Sequence, residues 1–228
     1  LRVLVVVPFR GGCPHRERAW RWLRERYAAI HPGWDLVEAP APEGEWCKAA
    51  AVNPVVEASG AEVVIVADAD VWCDEFERAA MAVVCGQASW AMPHKMVHRL
   101  DEVGSAAVLA GESWKGQPLA QKPYEGVWGG GIVVAERAVL LDSPLDPRFR
   151  GWGQEDTSWA LALRTLHGPG WRGDAPLVHL WHPPQSRMNR LRGSHEGWEL
   201  HCRYRQARGK PVVMRALVEE FKEEIAWA

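Results

Sequence analysis

The chain has 228 residues, a formal net charge of −2 and an apolar fraction of 47%. That is enough length and apolar content for one large α/β domain. The near-neutral charge argues against a general role on nucleic acid or at a membrane surface, leaving only a local basic stretch from Arg187 to Arg205. No apolar run approaches membrane-spanning length and no signal peptide precedes the first strand, so the expectation is a soluble, cytoplasmic chain.

Cys13, Cys47, Cys73, Cys85 and Cys202 are odd in number, widely spaced and without a CxxC pair. They suggest neither a disulfide framework nor a thiolate zinc site. The 14 tryptophans are a heavy load, several of them beside Gly, Pro or charged residues. Core packing is the ordinary use of any one indole, but exposed indoles also stack on sugar rings and bases.

In chain order, Leu1 to Pro8 is a buried strand that proline should stop, followed by a loop over Phe9 to Gly12. Pro14 to Ile30 has Trp20, Leu23, Tyr27 and Ile30 at helical spacing on one face. A short strand over Trp34 to Glu38 leads to a helix from about Trp46 to Ala58, in which Asn53-Pro54 is a candidate break.

Ala61 to Asp74 is the most informative stretch. Val63 to Ala67 is wholly apolar and reads as a buried central strand, ending in Asp68 and Asp70 with one residue between them. Such a pair also occurs in turns and helix N-caps, but Asp74 precedes the next helical segment and is the better cap candidate. Carboxylates at the carboxyl end of a buried strand need a cation or hydrogen-bond donors, and a divalent metal holding a diphosphate supplies one.

Beyond a helix over residues 75–85, Ala88 to Ala91 suggests a short strand ending at Met92-Pro93. His94 to Gly126 lacks a clear period apart from a helix near Ser105 to Ala110, and long irregular segments often serve as lids or binding loops. Gly129 to Gly131 enter a strand over Ile132 to Ala135, a sign of close approach by a ligand or another backbone. Gly151 to Asp156 opens a helix through Leu166, Leu177 to Trp181 is a last strand, and helices follow over Glu196 to Ala207 and Pro211 to Ala226. The expected organisation is a core over 1–184 with a helical extension over 185–228 packed on it.

The ordered set PFR (Pro8 to Arg10), EWCKAAAVN (Glu45 to Asn53), DAD (Asp68 to Asp70), VWGGG (Val127 to Gly131), GWGQED (Gly151 to Asp156) and HLWHPP (His179 to Pro184) resembles metal-dependent glycosyltransferases of the GT-A fold. It is similar to the β-1,4-galactosyltransferase and chondroitin N-acetylgalactosaminyltransferase group. The resemblance implies an α/β fold with a mostly parallel central sheet flanked by helices, a UDP-sugar donor, a carbohydrate or glycosylated acceptor, and Mn²⁺ or Mg²⁺.

Residue by residue, it implies that Pro8, Phe9, Arg10, Lys48, Asn53, Asp68, Gly129 and Gly130 lie around the nucleotide and donor. Trp128, Trp152 and Glu155 would hold the acceptor, and Asp156 would be the catalytic base. Asp70 would bind the metal with a histidine, His182 being favoured and His179 the alternative, because a strand sends the two to opposite faces. An imidazole ligand favours Mn²⁺ over Mg²⁺. The segment from Trp90 to Val127 fits no family pattern, and Thr157 and Ser158 stand where the galactosyltransferases continue with acids.

The expected reaction is transfer from a galactose-, N-acetylgalactosamine- or glucose-type UDP-sugar to a hydroxyl, with inversion. A nucleotidyltransferase would share the paired acids and metal but not an aromatic acceptor platform. A lectin-like protein without catalysis would use the indoles but leave Asp156 unexplained. Composition rich in Ala, Arg and Gly suggests a bacterial or bacteriophage genome.

Overall fold

The computed structural model describes residues 1–184 and 194–226. Residues 185–193, which hold Arg187, Arg190 and Arg192 of the basic stretch, lie outside the described residues. Strands β1 (Val3–Phe9), β2 (Asp35–Pro40), β3 (Val63–Ala67), β4 (Val71–Trp72), β5 (Trp90–Arg99), β6 (Tyr124–Glu125), β7 (Ile132–Glu136) and β8 (Trp171–His179) form one sheet. Its order is β2-β1-β3-β7-β5-β8-β4, with β6 paired to β5.

The pairings set β1, β2, β3, β5 and β8 in one direction and β4, β6 and β7 against them. Helices α1 (Pro14–Ile30), α2 (Lys48–Ala58), α3 (Phe76–Val84), α4 (Glu102–Leu109), α5 (Arg137–Asp142), α6 (Glu155–His167), α7 (His195–Ala207) and α8 (Pro211–Ala226) complete the α/β architecture.

Strand periodicity sorts the core into two layers. Val5 and Ile65 face Trp20 and Leu23 of α1 and Phe76 of α3, while Val6, Val64 and Val66 face Val52 of α2 and Trp159 of α6. Burial on both faces is why β1 and β3 are continuous apolar runs. Helices α7 and α8 pack through Tyr204, Met214 and Phe221 against Ala162 of α6 and Phe149 before it. Among the described residues, no helix is long and apolar enough to cross a membrane.

Several expectations change. Strand β1 runs through Pro8 to Phe9, and α2 continues through Pro54, its flanks held by buried Val52 and Val56. Ile30 is exposed at the end of α1. Asp74 is not the cap of α3; it pairs with Arg26 at 2.5 Å, and Glu75 takes the cap position without a side-chain bond. Strand β5 does not stop at Pro93: the register against β8 shifts between Met92 and His94, and this bulge accommodates a residue with no N–H.

Part of the supposed irregular segment is therefore strand, and the rest is pinned. Asp101 N–H bonds the Pro118 carbonyl at 3.1 Å and Ala120 N–H bonds that of Arg99 at 2.9 Å.

Candidate active site

The turn after β3 is caught between two elements. Asp68 N–H donates to the Gly131 carbonyl at 2.9 Å, and Leu180 N–H donates to that of Asp70 at 2.8 Å. Val71 pairs with His179 across β4 and β8. Between these anchors the two carboxylates diverge into separate clusters.

Asp70 is buried at 6% exposure and meets two imidazoles. Its Oδ2 lies 3.2 Å from His182 Nε2 and its Oδ1 lies 3.7 Å from His179 Nε2. One donor atom from each of the three residues lies within 4.8 Å of the others. The expected choice between the two histidines dissolves: β8 ends at His179, the chain leaves strand geometry at Leu180, and both rings return to Asp70 with centroids 5.2 Å apart.

Charge and tautomer suit a metal. Burial lowers the His179 pKa to about 4 and also lowers that of His182, so both rings are neutral near pH 7 with lone pairs to give. His182 Nδ1 lies 2.8 Å from the Pro183 carbonyl, which assigns the ring proton there and leaves a free lone pair on Nε2, facing the same space as the Asp70 carboxylate. Burial opposes the charge on Asp70, yet His179, Arg16, His182 and Arg99 outweigh it and hold the carboxyl below its ordinary value. One carboxylate and two neutral imidazoles fit Mn²⁺ better than Mg²⁺, which prefers oxygen.

Asp68 turns the other way. Lys48 Nζ, buried at the start of α2, lies 2.9 Å from Asp68 Oδ1 and 2.8 Å from Asp156 Oδ1. Burial alone would lower the lysine pKa, but Asp156 and Asp68 overcome it and raise it. Lys48 is on the same helical stripe as Val52 and Val56, so a cation on an apolar stripe was the sequence sign of this role.

Asp156 is held by unusual backbone. Gly151 and Gly153 have positive φ, and Gln154, with φ of 71°, is the one non-glycine among the described residues to share it. Glu155 and Asp156 then form the first turn of α6, and Glu155 accepts from Gly153 N–H at 2.9 Å. Burial raises the pKa of both acids; the Asp156 charge adds to the shift of Glu155, which reaches about 7, while Lys48 opposes that of Asp156. The glycines of VWGGG meet another backbone, since a Cβ on Gly129 would clash with the Asp156 carbonyl. Gly130 passes beside the Asp156 carboxylate, 3.8 Å from where its own Cβ would stand.

The remaining sequence candidates separate. Pro8 is a ladder residue opposite Ala39, and Phe9 packs near Trp20 at 6.4 Å between ring centroids. Arg10 secures the loop before α2 through the Gly44 carbonyl at 2.8 Å and the Pro42 carbonyl, with its guanidinium over Trp46. Asn53 is not gathered into either cluster; its amide is used on both backbone groups of Leu145, at 2.8 and 3.2 Å. Trp128, half-buried, is edge-on to Trp90 with Arg172 4.8 Å over its ring. Trp152 is exposed on the Gly151–Gly153 approach to α6.

Sequence motifs missed Arg16, whose Nε lies 3.2 Å from Asp70 Oδ2. Its signal was available: Arg16 sits four residues before Trp20 on the buried stripe of α1. They also missed Ser105 of α4, whose hydroxyl accepts from Trp181 N–H at 2.7 Å and fixes the chain between the two histidines.

No family model matches the chain, and no curated protein does. Solved structures do. GalNAc-T7, solved with UDP, GalNAc and Mn²⁺, superposes with a TM-score of 0.53 at 13% identity, covering 100% of this chain and 57% of its own. A Drosophila β-1,4-galactosyltransferase 7 variant, solved with manganese, UDP-Gal and xylobiose, gives 0.49 at 12% identity over 83% of this chain and 78% of that one. Glucosyl-3-phosphoglycerate synthase of Mycobacterium tuberculosis, solved with Mn²⁺, UDP and glucosyl-3-phosphoglycerate, gives 0.43 at 15% identity, with coverages of 81% and 73%. The fold is that of the GT-A glycosyltransferases, a conclusion carried by the superposition on GalNAc-T7.

Proposed function

We propose that this chain is a metal-dependent glycosyltransferase that moves a sugar from a UDP-sugar of the galactose, N-acetylgalactosamine or glucose type to an acceptor hydroxyl, with inversion. The observation that carries this reading is the division of labour in the DAD turn: Asp70 goes to two imidazoles, and Asp68 goes through Lys48 to Asp156. Cation site and base thus stand side by side at the carboxyl end of β3, where ligands bind in open α/β sheets.

Asp70, His179 and His182 would hold Mn²⁺, or less favourably Mg²⁺. When bound, the ion supplies Lewis acidity toward the departing diphosphate. Asp156 takes the acceptor proton. Burial makes its carboxylate more basic, while Lys48 keeps it ionised and fixes its direction. Direct attack by a hydroxyl deprotonated on one face inverts the anomeric carbon. Trp152, exposed beside the α6 start, and Glu155 line the acceptor side. Residues 1–184 form the transferase core in this reading, with α7 and α8 as an extension buttressing α6.

The test is calorimetry of UDP binding with and without Mn²⁺, on the wild type and Asp70→Asn, after a thermal-shift screen of UDP-sugars. Binding at a hundredfold excess over the dissociation constant adds about 2.7 kcal/mol of stability, so a positive is plain. UDP affinity should depend on the metal and on Asp70; affinity that survives both chelation and the substitution sinks the proposal.

A further inference from the structure

Asp70 is the one carboxylate of the Asp70, His179 and His182 group, and it already faces a cation. Arg16 Nε lies 3.2 Å from Asp70 Oδ2, and a terminal nitrogen of the same guanidinium lies 3.4 Å from His182 Nε2. His182 Nε2 is itself 3.2 Å from that carboxylate oxygen. The guanidinium therefore confronts the same oxygen and the same imidazole lone pair that a divalent ion would take.

The contact is Coulombic rather than directed. An arginine built to hold a carboxylate usually offers two parallel N–H groups to its two oxygens. Here the buried Nε finds no aligned acceptor among the described residues, and the second contact goes to an imidazole. Neutralising charge is what this arrangement does well, because a buried carboxylate without a cation is costly. The Arg16 side chain keeps 27% of its surface exposed against 8% for Asp70, so the arginine has a way out and the aspartate does not.

We propose that Arg16 is the resident counter-ion of this site in the ligand-free protein, and that a divalent cation reaches Asp70 and His182 by displacing it. This rests on the metal-dependent reading above and adds a residue that governs when the site fills. A dication and a guanidinium on adjoining lone pairs repel each other, so the two occupancies exclude one another. Affinity for the ion alone is then set by Arg16 as well as by the ligands, and the free protein holds its site closed with its own side chain.

The experiment is Mn²⁺ binding without nucleotide, read by calorimetry and by loss of the free-ion EPR signal, on the full chain. Arg16→Met and Arg16→Gln should each bind Mn²⁺ at least about fivefold more tightly than the wild type, because the competing charge is gone. Asp70→Asn should bind at least about tenfold more weakly, having lost the anionic ligand. Two neutral variants are used so that a folding failure in one leaves the other, and Gln shows whether charge or hydrogen bonding is what the ion must overcome. Mn²⁺ should also raise the Tm of either Arg16 variant more than that of the wild type. Wild-type or weaker Mn²⁺ affinity in both Arg16 variants, with the ion lost from Asp70→Asn, overturns the role of Arg16 and leaves the metal site standing. Undiminished Mn²⁺ binding by Asp70→Asn removes the metal site, and the proposal with it.

Discussion

Lys48 Nζ lies 2.8 Å from Asp156 Oδ1 and ties the start of α2 to the first turn of α6. The same ammonium reaches Asp68, so one buried cation holds the turn after β3 and the proposed base in a fixed relation. Lys48→Met leaves two carboxylates facing an apolar side chain. Removing one partner of a fully buried pair costs about 3–5 kcal/mol; with the acids here partly exposed, a loss of about 2 kcal/mol is expected at pH 8. Urea denaturation measures it, and Lys48→Met combined with Asp156→Asn should recover part of the loss. Full additivity of the two substitutions would show that the pair is not coupled.

Glu155 predicts a pH signature. Burial and the neighbouring Asp156 charge raise its pKa to about 7 from an ordinary 4.5. A carboxyl raised on folding contributes stability in full below the unfolded value, and that contribution is lost as pH rises through the folded one. Glu155→Gln keeps an oxygen for Gly153 N–H and removes the titration. The variant should match the wild type at pH 4.5 and exceed it at pH 8, by about 1 kcal/mol after allowance for partial exposure. Denaturation midpoints at the two pH values decide it; a constant difference between the proteins rules the shift out.

Where the sequence was legible, one signal acted alone. Val63 to Ala67 could only be a doubly buried strand, and the stripe of Trp20, Leu23 and Tyr27 could only be a helix face. Where two signals met, the stronger was hidden. Pro93 looks like a strand terminus, but the glycine opposite it, Gly173, lets the bulged Pro93 carbonyl press in, and β5 continues for six more residues to Arg99. Strand β8 begins six residues before the expected Leu177 because Gly173, Asp174 and Pro176 mask its start. His179 and His182 were assigned opposite faces on the premise that the strand continued between them, yet pairing ends at the first. The fold brings the DAD, GWGQED and HLWH motifs together around the turn after β3. The division of Asp68 from Asp70, and the arrival of Arg16, depend on contacts across the sheet that no local spacing encodes.

The glycine triplet gives a test of backbone approach. Gly129 has φ of 87°, and a side chain there would collide with the Asp156 carbonyl, whereas Gly116, also with φ of 87°, has open space around it. Gly116→Ala should cost about 1 kcal/mol of backbone strain. Gly129→Ala adds a clash with backbone that cannot rotate away, so a loss of about 3 kcal/mol or more is expected by urea denaturation. Equal costs for the two would mean that α6 can retreat from the glycine strand.

Both imidazoles facing Asp70 predict similar dependence on each. His179→Ala and His182→Ala should each weaken Mn²⁺ binding by about tenfold or more, in calorimetry on the nucleotide-free protein. If one substitution is silent, the corresponding ring is a structural neighbour of Asp70 and the ion has fewer protein ligands than the geometry suggests.

Asp156→Asn tests the chemical step. The carboxylate stands on the first turn of α6, beside Gly130 and in the grip of Lys48, and it lies in a different cluster from the proposed metal ligands. The amide keeps the shape, including an oxygen for the Lys48 ammonium, and loses the basicity. An interaction realised only in the transition state is thereby removed while ground-state contacts remain. Turnover on the UDP-sugar and acceptor identified by screening should fall by about 10² or more, the usual range for losing a general base. The UDP-sugar dissociation constant should change by less than about threefold. The product's anomeric configuration, read by NMR, belongs to the same experiment, because attack by a hydroxyl deprotonated on one face must invert the centre. Retention of configuration, or near-normal turnover in the Asn variant, would take the base role away from Asp156 and leave its pairing with Lys48 as a purely structural tie between α2 and α6.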